Sequence, residues 1–465
     1  MMVMKNRLII FWNFLIVCSL FLSCASAPEK KEAVQQVDSS TVVQTHFTKI
    51  KLEPGKILSN IKSESNSNVS FSVYVPSEYN DTTLPPVVYF FDPHADGNLP
   101  LEKYKSVADA FKFIMVGCNS VENGMPFEQS QQIANVLFSD CQNRLPISTQ
   151  QQIIAGFSGG SKVACNLAMS QHFFSGLIAC SGALFENGKF DKNMSVVSVA
   201  GINDFNYHEM VALEKSVDVT HHAFIETDST HQWPDKSDMY DAMLFTLMQM
   251  VKQNKLQIQK TVIENYYQNW LKKINSLQNK SSVDKQFKQL QFGVMCFDGL
   301  TDVTSLKSKL KEIENSESLR KWRMRSQNLQ YQEKEMQKML RDAFSNQNIS
   351  WWQKEIADLK IAAKNSNDKM LAAMSNRLLG FIGIACYSFA KQLVNENAPE
   401  SDKVLQIYQT VEPNNSEAWF LSAVYHANNK QPEKAMAVFN KAVQSGFNQT
   451  SRINEYPALQ QIVAP

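Results

Sequence analysis

The chain has 465 residues, a formal charge of +1 and 44% hydrophobic content. That length calls for at least two domains, and the near-neutral charge leaves no electrostatic footprint for nucleic acid. No Gly-rich phosphate cradle, Cys-x-x-Cys pair or His-x-x-x-His spacing occurs, so neither a metal nor another cofactor is expected.

At the amino terminus Lys5 and Arg7 precede an apolar run over 8–22, too short to span a bilayer once cleaved and of the kind that directs export. The run ends in Leu20-Phe21-Leu22-Ser23-Cys24, which resembles the bacterial lipoprotein box with Phe21 in place of the usual leucine. The resemblance implies cleavage before Cys24 and acylation of its thiol. Ala25 offers no acidic retention signal, so a lipid-anchored outer-membrane place in the cell envelope is expected. Residues 1–23 then form the signal peptide. Residues 24–47, rich in Ser, Lys, Glu, Val and Gln without periodicity, form a flexible tether.

From residue 48 short apolar runs alternate with amphipathic ones. Strands are predicted over 69–75, 87–91, 113–117, 152–156, 176–180, 195–201 and 222–226. Helices are predicted over 101–111, 127–142, 162–170, 207–217 and 237–251. Such alternation predicts an α/β class, with a doubly wound, mostly parallel sheet over residues 48–254.

The loops that leave these strands carry the chemistry. Ile153-Ile154-Ala155-Gly156-Phe157-Ser158-Gly159-Gly160 reads as strand, Gly-x-Ser-x-Gly turn and helix start. A sharp turn of this kind lifts a serine hydroxyl clear of the sheet, and Gly156 and Gly160 leave room for its strained backbone. Further along, Asp204 sits in Gly201-Ile-Asn-Asp-Phe-Asn-Tyr207 and His231 in Thr230-His-Gln-Trp-Pro234, each after a strand. Serine, acid and histidine thus follow one another in the order this architecture requires. His94 and Asp92 precede Ser158, which argues against either as a triad member. His221 and His222 read as partly exposed strand positions, and His208 as part of a polar first helical turn.

Residues 48–254 resemble the α/β-hydrolase superfamily, closest to its esterase and polyhydroxybutyrate-depolymerase-like branch, on the strength of Gly156-Phe-Ser-Gly-Gly160, Asp204 and His231 in their contexts. The resemblance implies Ser158 as nucleophile, His231 as general base and Asp204 as the carboxylate that orients the imidazole. It also implies an oxyanion hole. One donor is the Gly159 N–H; the other comes from the loop Asp92-Pro93-His94-Ala95-Asp96-Gly97, where Pro93 has no N–H, leaving His94 or Ala95. An ordinary Asp-Pro turn fits that loop equally well. Relatives often insert a helical lid between the strands over 176–180 and 195–201. Only a short loop is present here, so an open pocket able to admit a bulky ester is expected.

After about Lys255 the composition turns to Lys, Glu, Gln and Asn with apolar residues at helical spacing, predicting an all-α region packed as an array of its own. Residues 255–400 form one part, with Val262, Tyr266, Trp270 and Ile274 as a buried stripe and Trp352, Ile356 and Leu359 as another. The apolar run over 378–390 reads as a central buried helix. Residues 401–465 resemble tetratricopeptide helices, on Trp419, Ala435, Phe439 and Ala442. So short an array must stack on the preceding helices, and its surface is a candidate for a protein partner. Cys118, Cys141, Cys165, Cys180, Cys296 and Cys386 lie in apolar patterns and read as buried thiols.

Two functional classes fit these features. One is a cell-envelope serine hydrolase that cleaves an ester through an acyl-enzyme. The other is a non-catalytic lipoprotein scaffold in which the sheet supports a protein-binding helical arm.

Overall fold

The structure is a computed structural model that describes residues 47–80, 84–183, 188–277, 281–365 and 367–463. The signal peptide, Cys24 and nearly all of the tether lie outside the described residues. Eight strands form one sheet: β1 Ile57–Lys62, β2 Ser70–Tyr74, β3 Val87–Phe91, β4 Ile114–Cys118, β5 Gln152–Phe157, β6 Phe174–Cys180, β7 Ser195–Gly201 and β8 His221–Thr227. Their order is β1-β2-β4-β3-β5-β6-β7-β8. Strand β2 runs antiparallel to both of its neighbours, and β4 through β8 are parallel. This is the sheet of the α/β-hydrolase fold.

The central strands are wholly buried runs of Val, Ile, Phe and Ala, as a sheet covered on both faces requires. Alternate residues feed two cores. Val88, Phe90, Ile153, Ala155 and Val197 point to the face covered by α1 (Asn98–Phe111) and α5 (Lys236–Lys252). Tyr89, Phe91, Ile154, Leu177 and Val196 point to the face covered by α2 (Phe127–Arg144), α3 (Gly159–Ser170) and α4 (Tyr207–Ser216). The sequence did not announce β1. Its pairing slips between Leu58 and Ile61, and Asn60 turns to φ 55°, so no clean alternation marks it.

Strand β3 has β4 on one side and β5 on the other, so the crossovers leave it in opposite directions. The crevice this opens at the strands' carboxyl ends is where such sheets place ligands. Ser158 follows β5 there, directly beside the end of β3.

The helices after Lys255 share a core with the sheet. Helices α6 (Lys260–Leu277) and α7 (Val283–Phe297) bring Trp270, Phe292, Cys296 and Phe297 into the same apolar cluster as Phe90, Met243 and Phe245. Sheet and helices form a single compact unit. The stripe on α6 is rotated from the expected one: Ile263, Tyr267, Trp270 and Ile274 are the buried residues, while Val262 and Tyr266 are only half-buried. Both sets fit a period near four, and only the neighbour's position decides between them.

There follow α8 (Thr304–Glu314), α9 (Glu317–Asn346), α10 (Ile349–Ala363), α11 (Lys369–Asn395), α12 (Ser401–Val411), α13 (Ser416–Asn428) and α14 (Pro432–Gln444). Trp352, Ile356 and Leu359 are buried as expected. Helix α11 spans 27 residues and is long and apolar enough to cross a membrane. Its Leu378, Ile382, Cys386 and Ala390 are nonetheless wholly buried against protein, and Arg377 lies in an internal ion pair. Ala418, Ala435 and Ala442, each wholly buried, let α13 and α14 pack closely. Trp419 lies half-buried, its Nε1 donating to Pro413 O at 2.8 Å and Lys441 over its ring. The six described cysteines are all buried, none in a disulfide. Burial pushes the Cys118 thiol up to about 11.

Candidate active site

Ser158 is the junction between β5 and α3, with φ 53° and ψ −120°. A non-glycine residue holds that conformation only where its surroundings dictate it, at about 1–3 kcal/mol of strain. Here the turn is squeezed between neighbours. A Cβ on Gly156 would meet Gly160 O at 2.3 Å, and one on Gly160 would meet Phe91 O at 2.1 Å. The Ser158 N–H donates to Cys180 O at 2.9 Å, and Ser158 O accepts from Ser161 at 3.1 Å.

The structure brings Ser158, His231 and Asp204 together from three loops. His231 Nε2 lies 2.9 Å from Ser158 Oγ. His231 Nδ1 lies 2.9 and 3.0 Å from the two oxygens of Asp204. With the Nδ1 proton donated to the carboxylate, Nε2 is left to accept from the serine hydroxyl. Asp204 is fully buried, and its Oδ1 also accepts from the Asn206 N–H at 2.8 Å. The His231 ring lies between Phe157 and Phe205, with centroids 4.8 and 4.3 Å away.

Gly159 opens α3, so its N–H is one of the first-turn donors that have no acceptor within the helix. The other expected donor does not stand. The His94 N–H donates to Asp92 Oδ1 at 2.8 Å and the Ala95 N–H to Asp92 O at 3.2 Å, so both amides are committed to a tight turn. The cause is the short Asp side chain, which caps its own loop. The His94 side chain is 80% exposed, and its imidazole is pushed up from its ordinary value by hydrogen bonding to Asp92.

Three features went unread in the sequence. Asp92 is buried, and its Oδ2 accepts from Trp233 Nε1 at 2.8 Å. Burial opposes its ionisation, but the hydrogen bonds from His94 and Trp233 outweigh that and hold the carboxyl below its usual range. The link ties the β3 loop to the histidine loop, which Lys103 Nζ and Tyr104 Oη further pin through Trp233 O and Pro234 O at 2.8 and 2.7 Å. Asn123, whose N–H donates to Pro93 O at 2.8 Å, lays its side-chain amide against Gly159 so closely that a Cβ there would meet its Oδ1 at 1.6 Å. His208, far from being a generic first-turn residue, places Nε2 2.9 Å from buried Glu333 of α9. His221 and His222 are half-buried on β8, and burial pushes the His222 imidazole down to about 4. Among the described residues no cluster of His, Cys, Asp or Glu is arranged to hold a metal. The loop that would carry a lid includes residues 184–187, which lie outside the described ones.

The sheet order and this chain of hydrogen bonds define the class: an α/β-hydrolase fold carrying a serine, histidine and aspartate in series. No family model matches the chain, and no curated protein does. Among solved structures it is similar to esterase B from Lactobacillus rhamnosis, 13% identical over 44% of this chain and 90% of that one, with a TM-score of 0.37. The feruloyl esterase module from Clostridium thermocellum is 15% identical over 47% of this chain and 96% of its own, with a TM-score of 0.33. The carboxylesterase of Bacillus cereus is 15% identical over 39% of this chain and 95% of its own, with a TM-score of 0.32.

Proposed function

We propose that the protein is a serine hydrolase of carboxylic esters, held in the bacterial cell envelope by a lipid on Cys24. One observation carries the catalytic part: the unbroken hydrogen-bond chain from Ser158 Oγ through His231 to Asp204, at the tip of a strained turn. His231 takes the hydroxyl proton as Oγ attacks the ester carbonyl, and Asp204 stabilises the imidazolium that forms. The Gly159 N–H receives the developing oxyanion. Collapse expels the alcohol with the proton from His231. Water, activated by the same imidazole, then releases the acid from the acyl-enzyme.

The test is labelling of the intact chain by a fluorophosphonate, together with hydrolysis of p-nitrophenyl esters. Ser158→Ala and His231→Ala are expected to lose on the order of a millionfold in turnover, and Asp204→Asn somewhat less. Equal rates for wild type and Ser158→Ala would sink the nucleophile. A wild type inert to both reagents would favour the scaffold reading, in which the tetratricopeptide-like pair α13 and α14 docks a partner. The anchor is tested separately: Cys24→Ser is expected to move the protein out of the detergent-soluble membrane fraction, and an unchanged distribution would remove the lipid.

A further inference from the structure

The loop that carries Asp204 is gripped from outside the sheet. Arg377 of α11 donates from Nη1 to Ile202 O at 2.6 Å, two residues before the carboxylate. One position earlier on that helix, Asn376 Nδ2 donates to Asn203 Oδ1 at 3.1 Å. One turn further on, Gly380 faces Phe205, the ring that lies on His231; a Cβ added at Gly380 would meet Phe205 Cδ1 at 3.1 Å and Cβ at 3.3 Å. The grip is itself anchored. Glu333, with no exposed surface, accepts from Arg377 Nε at 3.0 Å and from Nη2 at 2.6 Å, and its other neighbour is His208 of α4. The guanidinium also lies over the Tyr207 ring at 5.1 Å. A fork of this kind fixes direction as well as charge, because its donors lie in one plane.

We propose that the helical region is part of the catalytic apparatus: Arg377 and Gly380 are positioning residues that set Asp204 and His231 from the side away from Ser158. Arg377 fixes the backbone from which Asp204 projects. Gly380 leaves the space in which Phe205 rests against the imidazole. The proposal deepens the serine-hydrolase reading and rests on it for its kinetic consequence, though not for its geometry.

The experiment uses the full chain with Gly380→Ala and Arg377→Lys, each alone and combined with Asp204→Asn. Alanine is a better helix former than glycine, so the unfolding midpoint of Gly380→Ala should stay level or rise. Its added Cβ nevertheless presses Phe205 onto His231, and small misplacements of catalytic groups are costly, so kcat should fall about tenfold or more with KM little changed. Arg377→Lys keeps the charge but loses the fork, and the same kcat loss is expected of it. In the Asp204→Asn background neither change should lower kcat more than about twofold further, because groups acting as a unit are not additive. The His231 Nδ1–H proton resonance, read by NMR, should be present in wild type and shifted or lost in Gly380→Ala.

Wild-type kcat in folded Gly380→Ala, or a full loss that persists in the Asp204→Asn background, would overturn the proposal. Should Arg377→Lys fail to fold, Gly380→Ala decides alone. If the wild type cleaves no ester but its Nδ1–H resonance is present and moves in Gly380→Ala, the hydrolase reading falls and the positioning stands. An unmoved resonance overturns the positioning whatever the activity.

Discussion

Ser158 and the two side chains linked to it in series, His231 and Asp204, are held by different kinds of structure. Ser158 is fixed by backbone, through a turn whose close approaches involve Gly156, Gly160 and the end of β3. Asp204 and His231 are fixed by side chains from remote parts of the chain: Arg377 reaches Ile202 across 175 residues, and Trp233 reaches Asp92 across 141. A short motif can therefore encode the strained serine turn in full, whereas the placing of the histidine and the aspartate depends on the completed fold.

Truncation after Asn254 is the most severe test of that contrast. It leaves the turn at Ser158 intact in sequence but removes Trp270, Phe292 and Phe297 from the core beneath α5. Each large side chain buried in such a core contributes about 1.5–3 kcal/mol. Three together rival the 5–15 kcal/mol or so that separates most folded domains from unfolded ones. The fragment is expected to be insoluble, or soluble without cooperative unfolding by circular dichroism. A folded, ester-cleaving fragment would show that the sheet alone suffices.

Trp233→Phe makes a smaller break, on the side-chain end only. It keeps the ring among Phe90, Tyr104 and Phe157 but removes the donor to Asp92. Leaving a buried acceptor short of a partner costs about 1–3 kcal/mol, readable by urea unfolding. The pH dependence has a definite sign. A carboxyl held below its usual range stabilises the fold above the unfolded pKa and loses that contribution as pH falls through the folded value. The acid limb of the stability profile should therefore flatten in Trp233→Phe. An unchanged limb would mean that His94, through its side chain and its amide, holds the carboxylate without Trp233.

The mildest test lies on β8, the strand that leads to His231. The His222 imidazole, pushed down to about 4 by burial, binds its proton more readily in the unfolded chain. Its contribution is complete above the ordinary value near 6.5 and is lost as pH falls towards 4. His222→Gln should remove a slope amounting to about 1 kcal/mol by pH 5.5, seen as a smaller drop in unfolding midpoint on acidification. A slope that survives the substitution would assign it to another group.

What could be read from the sequence follows the same division. The seven strands from β2 to β8 and the three hydrogen-bonded residues were visible because short apolar or alternating runs bounded by turns mark the strands and chain order ranks the candidates. Strand β1 escaped because its bulge at Asn60 hides its period. On α6 Trp270 and Ile274 are buried as expected, but the first half of the stripe falls one residue on, at Ile263 and Tyr267, since Val262 and Ile263 are equally apolar and only packing selects between them. His94 failed as a donor because Asp92 draws its amide inward, a choice made by side-chain rotamer and not by residue type. Asn123 and Glu333 carried no local signal, being polar residues in polar stretches, and Arg377, a lone charge in the apolar middle of α11, named no partner because Ile202 and Glu333 lie far along the chain.

The six buried cysteines have a consequence for where this protein can work. Exchange and oxidation act on the thiolate; all six are buried out of reach, and burial favours the protonated thiol at Cys118, Cys141, Cys180, Cys296 and Cys386. Among the described residues there is therefore no disulfide for a reductant to cut and no exposed thiol for an oxidant to capture, so that part of the fold is indifferent to redox poise. Vulnerability belongs to the chain before its sheet closes, so chaperoning and speed of folding, more than disulfide chemistry, govern how much intact protein an oxidising compartment yields.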